Sequence, residues 1–170
     1  MISRRDFLLS AVRRVRQYKD DTASPAPSQP ISDRGQKMEE ADRLFAQDMF
    51  RQALEAYQHI LAHDPSHLTA RVQVMICHYR LGEINPAKVC ARQIVQKDPD
   101  HHVARLYLGL SWLKKGNAEK AFEAWEGYFD MENPLVLREV NLHKALFEAG
   151  EELECLSIAR DVETILFRKG

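Results

Sequence analysis

The sequence has few of the features that mark enzymes, secreted domains or membrane-spanning proteins. Its three cysteines, Cys77, Cys90 and Cys155, lie far apart with no C-x-x-C pair, which argues against a disulfide-stapled secreted domain and favours a reducing compartment. No stretch approaches the roughly 18 consecutive apolar residues that a membrane-spanning helix needs. Glycine-rich phosphate loops, G-x-S-x-G and H-E-x-x-H motifs are also missing. We therefore expect a cytoplasmic protein that is not an enzyme and needs no cofactor or metal.

Acidic and basic residues are nearly equal in number, but they are unevenly distributed along the chain. The formal net charge is -1, yet residues 1–19 carry a net +5 and the remainder a net -6. The basic residues of the first segment are Arg4, Arg5, Arg13, Arg14, Arg16 and Lys19. A basic head on an acidic body suggests that the two parts contact different surfaces, or each other.

Residues 1–20 are predicted to form a basic amphipathic helix. Its apolar residues recur at steps of one, three and four, and the arginines fall largely on the other side: Phe7, Leu8, Ala11, Val12, Val15 and Tyr18 form the apolar stripe. The stretch from Ser3 to Leu8, S-R-R-D-F-L, is similar to the core of twin-arginine export signals. The apolar stretch that follows is shorter than a working signal needs, because arginines interrupt it.

Three interpretations of this segment stay open. It binds an anionic membrane surface, it engages export or maturation machinery as a signal mimic, or it is a variant signal that is exported. The residues expected to dock are Arg4, Arg5, Phe7, Leu8, Arg13, Arg14 and Arg16. The expected location is the cytoplasm, or the periphery of the membrane at its inner face. Nucleic acid is disfavoured because the body is acidic and lacks a stacking platform.

Residues 21–33, which read DTASPAPSQPISD, are predicted to be a linker, and a repeat begins after them. Three prolines and the lack of apolar periodicity leave this stretch nothing to bury. From residue 34 onward, residue types recur every 34 positions. Small residues recur at Ala53, Ala87, Ala121 and Cys155. Turn formers precede them at Asp48, Gly82, Gly116 and Gly150, and apolar residues follow at Ile60, Ile94, Tyr128 and Val162.

This pattern resembles the tetratricopeptide repeat, a family of 34-residue helical hairpins. The resemblance is clearest in the first repeat, with Leu44, Phe50, Ala53, Tyr57, Ile60 and Pro65. It implies an all-α, right-handed solenoid of about four repeats at residues 34–67, 68–101, 102–135 and 136–169. The fourth repeat lacks a closing proline and is interpreted as degenerate, or as a cap. Stacked hairpins leave a concave face.

The resemblance places a partner-binding groove on the first helix of each repeat. The predicted groove residues are Met38, Asp42, Phe45, Val72, Ile76, Tyr79, Arg80, Leu106, Leu110, Leu113, Lys114 and Lys144. This apolar set suits an amphipathic helix, whereas the Lys/Asn cluster with which some members grip a carboxylate is absent. We therefore predict an adaptor or assembly factor that binds another protein or peptide. The basic helix is itself a candidate ligand, since the linker is long enough for it to reach the groove.

Two further clusters are interpreted as structural. His59, His63, His67, His101 and His102 occupy helix surfaces and turns, and Pro65 interrupts the spacing that would align the first three. Aromatic residues concentrate in the third repeat at helical spacing, which indicates a core rather than a cofactor site.

Overall fold

The computed structural model describes residues 31–168, with side chains from Gly35 onward, and all regular secondary structure in this part of the chain is helical. Its eight helices are α1 Ile31–Ala46, α2 Phe50–His63, α3 Leu68–Arg80, α4 Ile84–Lys97, α5 His102–Leu113, α6 Ala118–Ala124, α7 Pro134–Glu148 and α8 Cys155–Leu166. Helix α1 begins inside the stretch that we interpreted as a linker. The all-α repeat fold predicted from the sequence is confirmed.

The 34-residue spacing matches the turns and crossings of the helical hairpins. Ala53, Ala87 and Ala121 are fully buried, as small residues are when two helices approach within about 8–10 Å of each other. The turn between the first and second helix of each hairpin has a residue with positive φ: Asp48 (59°), Gly82 (75°), Gly116 (72°) and Gly150 (81°). Glycine reaches this region without steric cost, which explains the recurrence of turn formers.

The turns between the first three hairpins are built alike, and histidines cap the helices that follow them. The Nδ1 atom of His67 accepts a hydrogen bond from the backbone N–H of Ala70 (3.2 Å), at the start of α3. His101 repeats this contact with Ala104 (3.3 Å) at the start of α5. These two side chains satisfy backbone N–H groups that lack a partner within the helix, so they have the structural role that we expected.

Neighbouring helices pack in sequence order from α2 to α6, and α3 also packs against α5. This arrangement aligns the first helices of the second and third hairpins side by side. Tyr57 and Ala70 belong to a core around α1 to α3, and Met75, Leu110 and Trp125 belong to a larger core that extends to α8. The stacked hairpins therefore bury their apolar faces in two clusters, and Cys90 of α4 packs against both.

The fourth hairpin departs from regular stacking. Helix α6 ends at Ala124, and an irregular stretch that includes Gly127, with φ of 70°, leads to Pro134 at the start of α7. Helix α8 packs against α7 and also against α5. The last helix therefore packs on the first helix of the third hairpin. In a regular array, the first helix of the fourth hairpin would occupy that position.

The described residues form no helix that is both long and apolar enough to cross a membrane. The predicted amphipathic helix of residues 1–20, its docking residues and residues 21–30 of the predicted linker lie outside the described part of the chain.

Candidate protein-binding site

The predicted groove residues line one face of the first helices, and their exposure decreases from α1 to α5. On α1, Met38 and Phe45 are half-buried and Asp42 is exposed. On α3, Val72, Ile76 and Arg80 are half-buried, and Tyr79 is buried. On α5, Leu106, Leu110 and Leu113 are buried, and Lys114, directly after the helix, is half-buried. Lys144 is half-buried on α7, the helix that packs against α8.

Helix α8 covers the α5 part of this surface. Its residues Ile158, Ala159 and Val162 are almost fully buried and belong to the same apolar core as Leu106 and Leu110. The spacing of three and four residues places these three side chains on one face of α8, while Arg160 and Thr164 on the other face are exposed. An amphipathic helix from the same chain thus covers the predicted groove residues of α5.

Polar contacts attach α8 to both α3 and α5. The hydroxyl of Tyr79 donates a hydrogen bond to Oε1 of Glu163 (2.6 Å), and Nζ of Lys114 lies 2.9 Å from its Oε2. The guanidinium of Arg80 lies over the ring of Phe167, 4.4 Å from its centroid. Burial, followed by the hydrogen bond to Glu163, raises the pKa of the Tyr79 hydroxyl, so this group stays a donor. Three predicted groove residues therefore bind the C-terminal helix.

On α1, the predicted groove residue Asp42 contacts α2. The hydroxyl of Tyr57 donates to Oδ1 of Asp42 (2.6 Å), so Asp42 supports the first hairpin as well as facing outward. The guanidinium of Arg80 also lies 4.3 Å from the centroid of the Phe50 ring. Arg80 is therefore held between aromatic rings from the first hairpin and from the C-terminal end of α8.

A basic cleft between α4, α5 and α6 is a second surface with binding chemistry, and sequence reasoning missed it. Three cations lie over the half-buried indole of Trp112: Nζ of Lys88 at 3.9 Å from the ring centroid, Nζ of Lys120 at 4.8 Å and Cζ of Arg92 at 5.7 Å. The cleft beside them, whose lining includes Arg92, Trp112, Lys120 and the acidic Glu123, holds about 360 Å³. Burial, and then the neighbouring cations, lower the pKa of Lys88.

The sequence holds one signal for this cleft, which is the spacing of Lys88 and Arg92. These residues are four apart and therefore share a face of α4. We assigned the aromatic residues of the third repeat to the core. Phe122, Trp125 and Tyr128 are indeed buried, but Trp112 is half-buried and Phe129 is exposed.

Comparison with known protein families supports the repeat assignment. Residues 44–108 match the family model described as tetratricopeptide repeat. The matched stretch runs from the end of α1 into α5 and so includes the α2, α3 and α4 helices. A search of curated proteins found no match.

Proposed function

Because the chain carries tetratricopeptide repeats, we propose that it is an adaptor or assembly factor whose concave surface binds an amphipathic helix of another protein. Repeats of this family generally mediate protein–protein interaction. The observation that supports the finer proposal is the packing of α8 on α5, together with its contacts to Tyr79 and Arg80 of α3, because a helix already occupies this surface. Helix-in-groove recognition uses apolar anchors three and four residues apart.

The contacts of α8 define the chemistry of the partner helix. The partner helix has two apolar residues four positions apart, which pack against α5 where Ile158 and Val162 of α8 do. An acidic residue directly after the second one occupies the place of Glu163, where it accepts from Tyr79 and Lys114. A helix longer than α8 also reaches the half-buried apolar residues nearer α1. The partner is therefore an acidic amphipathic helix.

Helix α8 competes with this partner for the same surface. Full burial of one large apolar side chain contributes about 1.5–3 kcal/mol, and α8 buries Ile158 and Val162. Only residues 149–154 connect it to α7, and a short tether maintains an effective concentration in the millimolar range. A partner helix therefore binds only if it interacts more strongly than α8 does, so α8 restricts binding to well-matched partners.

A peptide with the sequence of residues 153–168 tests whether this surface accepts a helix supplied separately. In the full chain, Ile158→Asp and Val162→Asp together remove the apolar face of the chain's own α8. We expect a fluorescently labelled peptide at micromolar concentration to bind this double variant and not the unaltered chain, measured by fluorescence anisotropy. A peptide with Glu163→Ala should bind at least about tenfold more weakly, because hydrogen bonds to a charged group contribute about 1.5–3 kcal/mol.

The control adds Lys114→Glu to the double variant. Lys114 is half-buried, so this change should keep the helical circular dichroism spectrum while it repels the peptide's carboxylate. Lys97→Glu, an equal charge change on the exposed end of α4, should leave peptide binding intact. If the double variant retains its helical spectrum and binds no peptide, the groove does not accept a helix in this way and the proposal is wrong.

A second candidate function concerns the N-terminal segment, and the sequence Ser3–Leu8 favours it. In this alternative the chain is a membrane-associated or exported component, and the basic residues of its first 20 positions act as a surface anchor or a variant twin-arginine signal. A reporter protein fused after residue 30 tests it through its location in the cell.

A further inference from the structure

Three side chains with metal-binding chemistry meet between α7 and α8. Glu139 and His143 are one helical turn apart on α7, and Asp161 approaches them from α8. The Nε2 atom of His143 lies 3.3 Å from Oε1 of Glu139 and 3.4 Å from Oδ2 of Asp161. One ligand atom from each residue can be chosen so that all three lie within 4.8 Å of one another.

His143 is buried without a hydrogen-bond partner, which is rare for an imidazole. The residue is 8% exposed, and within the described part of the chain neither of its ring nitrogens makes a hydrogen bond. Buried polar groups nearly always have a partner, and leaving one without costs free energy. The Nε2 atom lies within ion-pairing distance of two carboxylates, with which a protonated imidazole would pair, but it has no hydrogen bond to either, and Nδ1 has no hydrogen-bond partner.

Two of the three distances between the candidate ligands match those around a single tetrahedral ion. Zinc lies about 2.0–2.2 Å from histidine nitrogen and carboxylate oxygen. Two ligands of a regular tetrahedron at that distance are therefore about 3.3–3.6 Å apart. The two distances from Nε2 of His143 agree with this range. A neutral imidazole with its proton on Nδ1 carries a lone pair on Nε2, the ring nitrogen that lies near both carboxylates.

We propose that Glu139, His143 and Asp161 form a binding site for a zinc-type divalent cation that joins α8 to α7. The mixed nitrogen and oxygen ligands suit Zn²⁺ rather than Ca²⁺ or Mg²⁺, which prefer oxygen ligands alone. The side chain of Asp161 is 46% exposed, so the site opens to solvent and a water molecule supplies the fourth ligand. Two ligands come from α7 and one from α8, so the ion holds the C-terminal hairpin together.

Titration of the chelator-treated full chain with Zn²⁺ tests the site. We expect saturable binding of one ion by isothermal titration calorimetry, a rise in the melting temperature, and no competition from excess Mg²⁺. Asp161→Asn removes one ligand charge at a partly exposed position and should reduce the zinc affinity at least about tenfold, since even the loss of a group that only supports a metal ligand costs about 10–100-fold. Its melting temperature without zinc should stay close to that of the unaltered chain.

A matched control separates this site from the other histidines. His59 and His63 are also one turn apart, with ring centroids 4.5 Å from each other, so His59→Gln with His63→Gln should leave zinc binding unchanged. A visible spectrum of four-coordinate Co²⁺ in the unaltered chain, absent from His143→Gln, would support the ligand set. Absence of saturable binding, or loss of binding in the His59/His63 variant with retention in Asp161→Asn, would overturn the proposal.

Discussion

Gly109 lies on α5 where the indole of Trp125 leaves no room for a side chain. A Cβ atom at this position would lie 2.1 Å from Nε1 of Trp125. That indole N–H donates to the backbone carbonyl of Leu106 (3.1 Å), so the ring cannot move away without losing a buried hydrogen bond. We expect Gly109→Ala to lower the free energy of unfolding by about 1–3 kcal/mol, the usual range for overpacking, measured by urea denaturation.

The same substitution at Gly35 is the control for this prediction. Gly35 lies in α1, and a Cβ atom there would have no neighbour within 4 Å. Alanine is favoured over glycine inside a helix by about 0.5–1 kcal/mol, so Gly35→Ala should be neutral or slightly stabilising. Equal urea midpoints for Gly109→Ala and the unaltered chain would show that α5 and α6 are not tightly packed there.

The connection between α6 and α7 depends on one buried carboxylate, that of Asp130. Asp130 is 4% exposed. Its Oδ1 accepts from the backbone N–H groups of Glu132 (2.9 Å) and Asn133 (3.1 Å), and its Oδ2 accepts from the hydroxyl of Tyr128 (3.1 Å) and the side-chain amide of Asn133 (3.2 Å). Burial alone would raise the pKa of Asp130, but these hydrogen bonds outweigh it and the pKa is lowered.

A lowered pKa predicts that this turn weakens in acid. The stabilisation by Asp130 is complete above the pKa of an unfolded aspartate, about 3.9, and is lost as the pH falls through the lower folded value. Asp130→Asn should cost about 1–3 kcal/mol at pH 7, because a donor is left without an acceptor. The difference in melting temperature between this variant and the unaltered chain should therefore shrink below about pH 4.

Glu132→Gln is the control for the acid dependence. Glu132 lies in the same turn with an exposed side chain, and it contributes its backbone N–H, which the substitution keeps. Its melting temperature should follow that of the unaltered chain from pH 7 to pH 3. A constant difference between Asp130→Asn and the unaltered chain over this range would contradict the role of the ionised carboxylate.

The helices and turns that recur every 34 residues could be predicted from the sequence. The bounds of helices that depend on contacts distant in the chain could not. Small residues at helix crossings and positive-φ residues at turns leave a 34-residue signature, which identified the helical hairpins. The early end of α6 gave no such signature. It depends on Trp125, whose indole is held over α5, and on Asp130, whose four hydrogen bonds form only in the folded turn.

The candidate site was predictable only in part, for a related reason. The residues that line the first helices follow from their position in the repeat, and they do lie on one face of α3 and α5. Tyr79 and Lys114 contact Glu163, which follows them in the chain by 84 and 49 residues, so their positions in the repeat do not predict these contacts. An amphipathic pattern shows that α8 must cover its apolar face, but it does not identify the surface that it covers.

At the scale of the whole molecule, net charge differs between the N-terminal segment and the rest of the chain. The groove provides Tyr79, Arg80 and Lys114 as donors, and these suit an acidic helix. The N-terminal segment carries a net charge of +5, so its arginines would be repelled by the cations Arg80 and Lys114. This favours an external surface or receptor over the groove as its binding site, and a charge-conserving substitution distinguishes the two.

Arg4→Lys with Arg5→Lys, in a reporter fused after residue 30, keeps the net charge while it removes the arginine pair. If this segment acts as a variant twin-arginine signal, reporter activity outside the inner membrane of a bacterial cell should be lost in this variant. If it binds an anionic membrane surface, the fusion should stay on the inner face, because lysine and arginine contribute similarly, about 1 kcal/mol each, near such a surface. Arg13→Lys with Arg14→Lys is the matched control and should change neither outcome. A fusion that remains free in the cytoplasm with all arginines present would exclude both roles for residues 1–30.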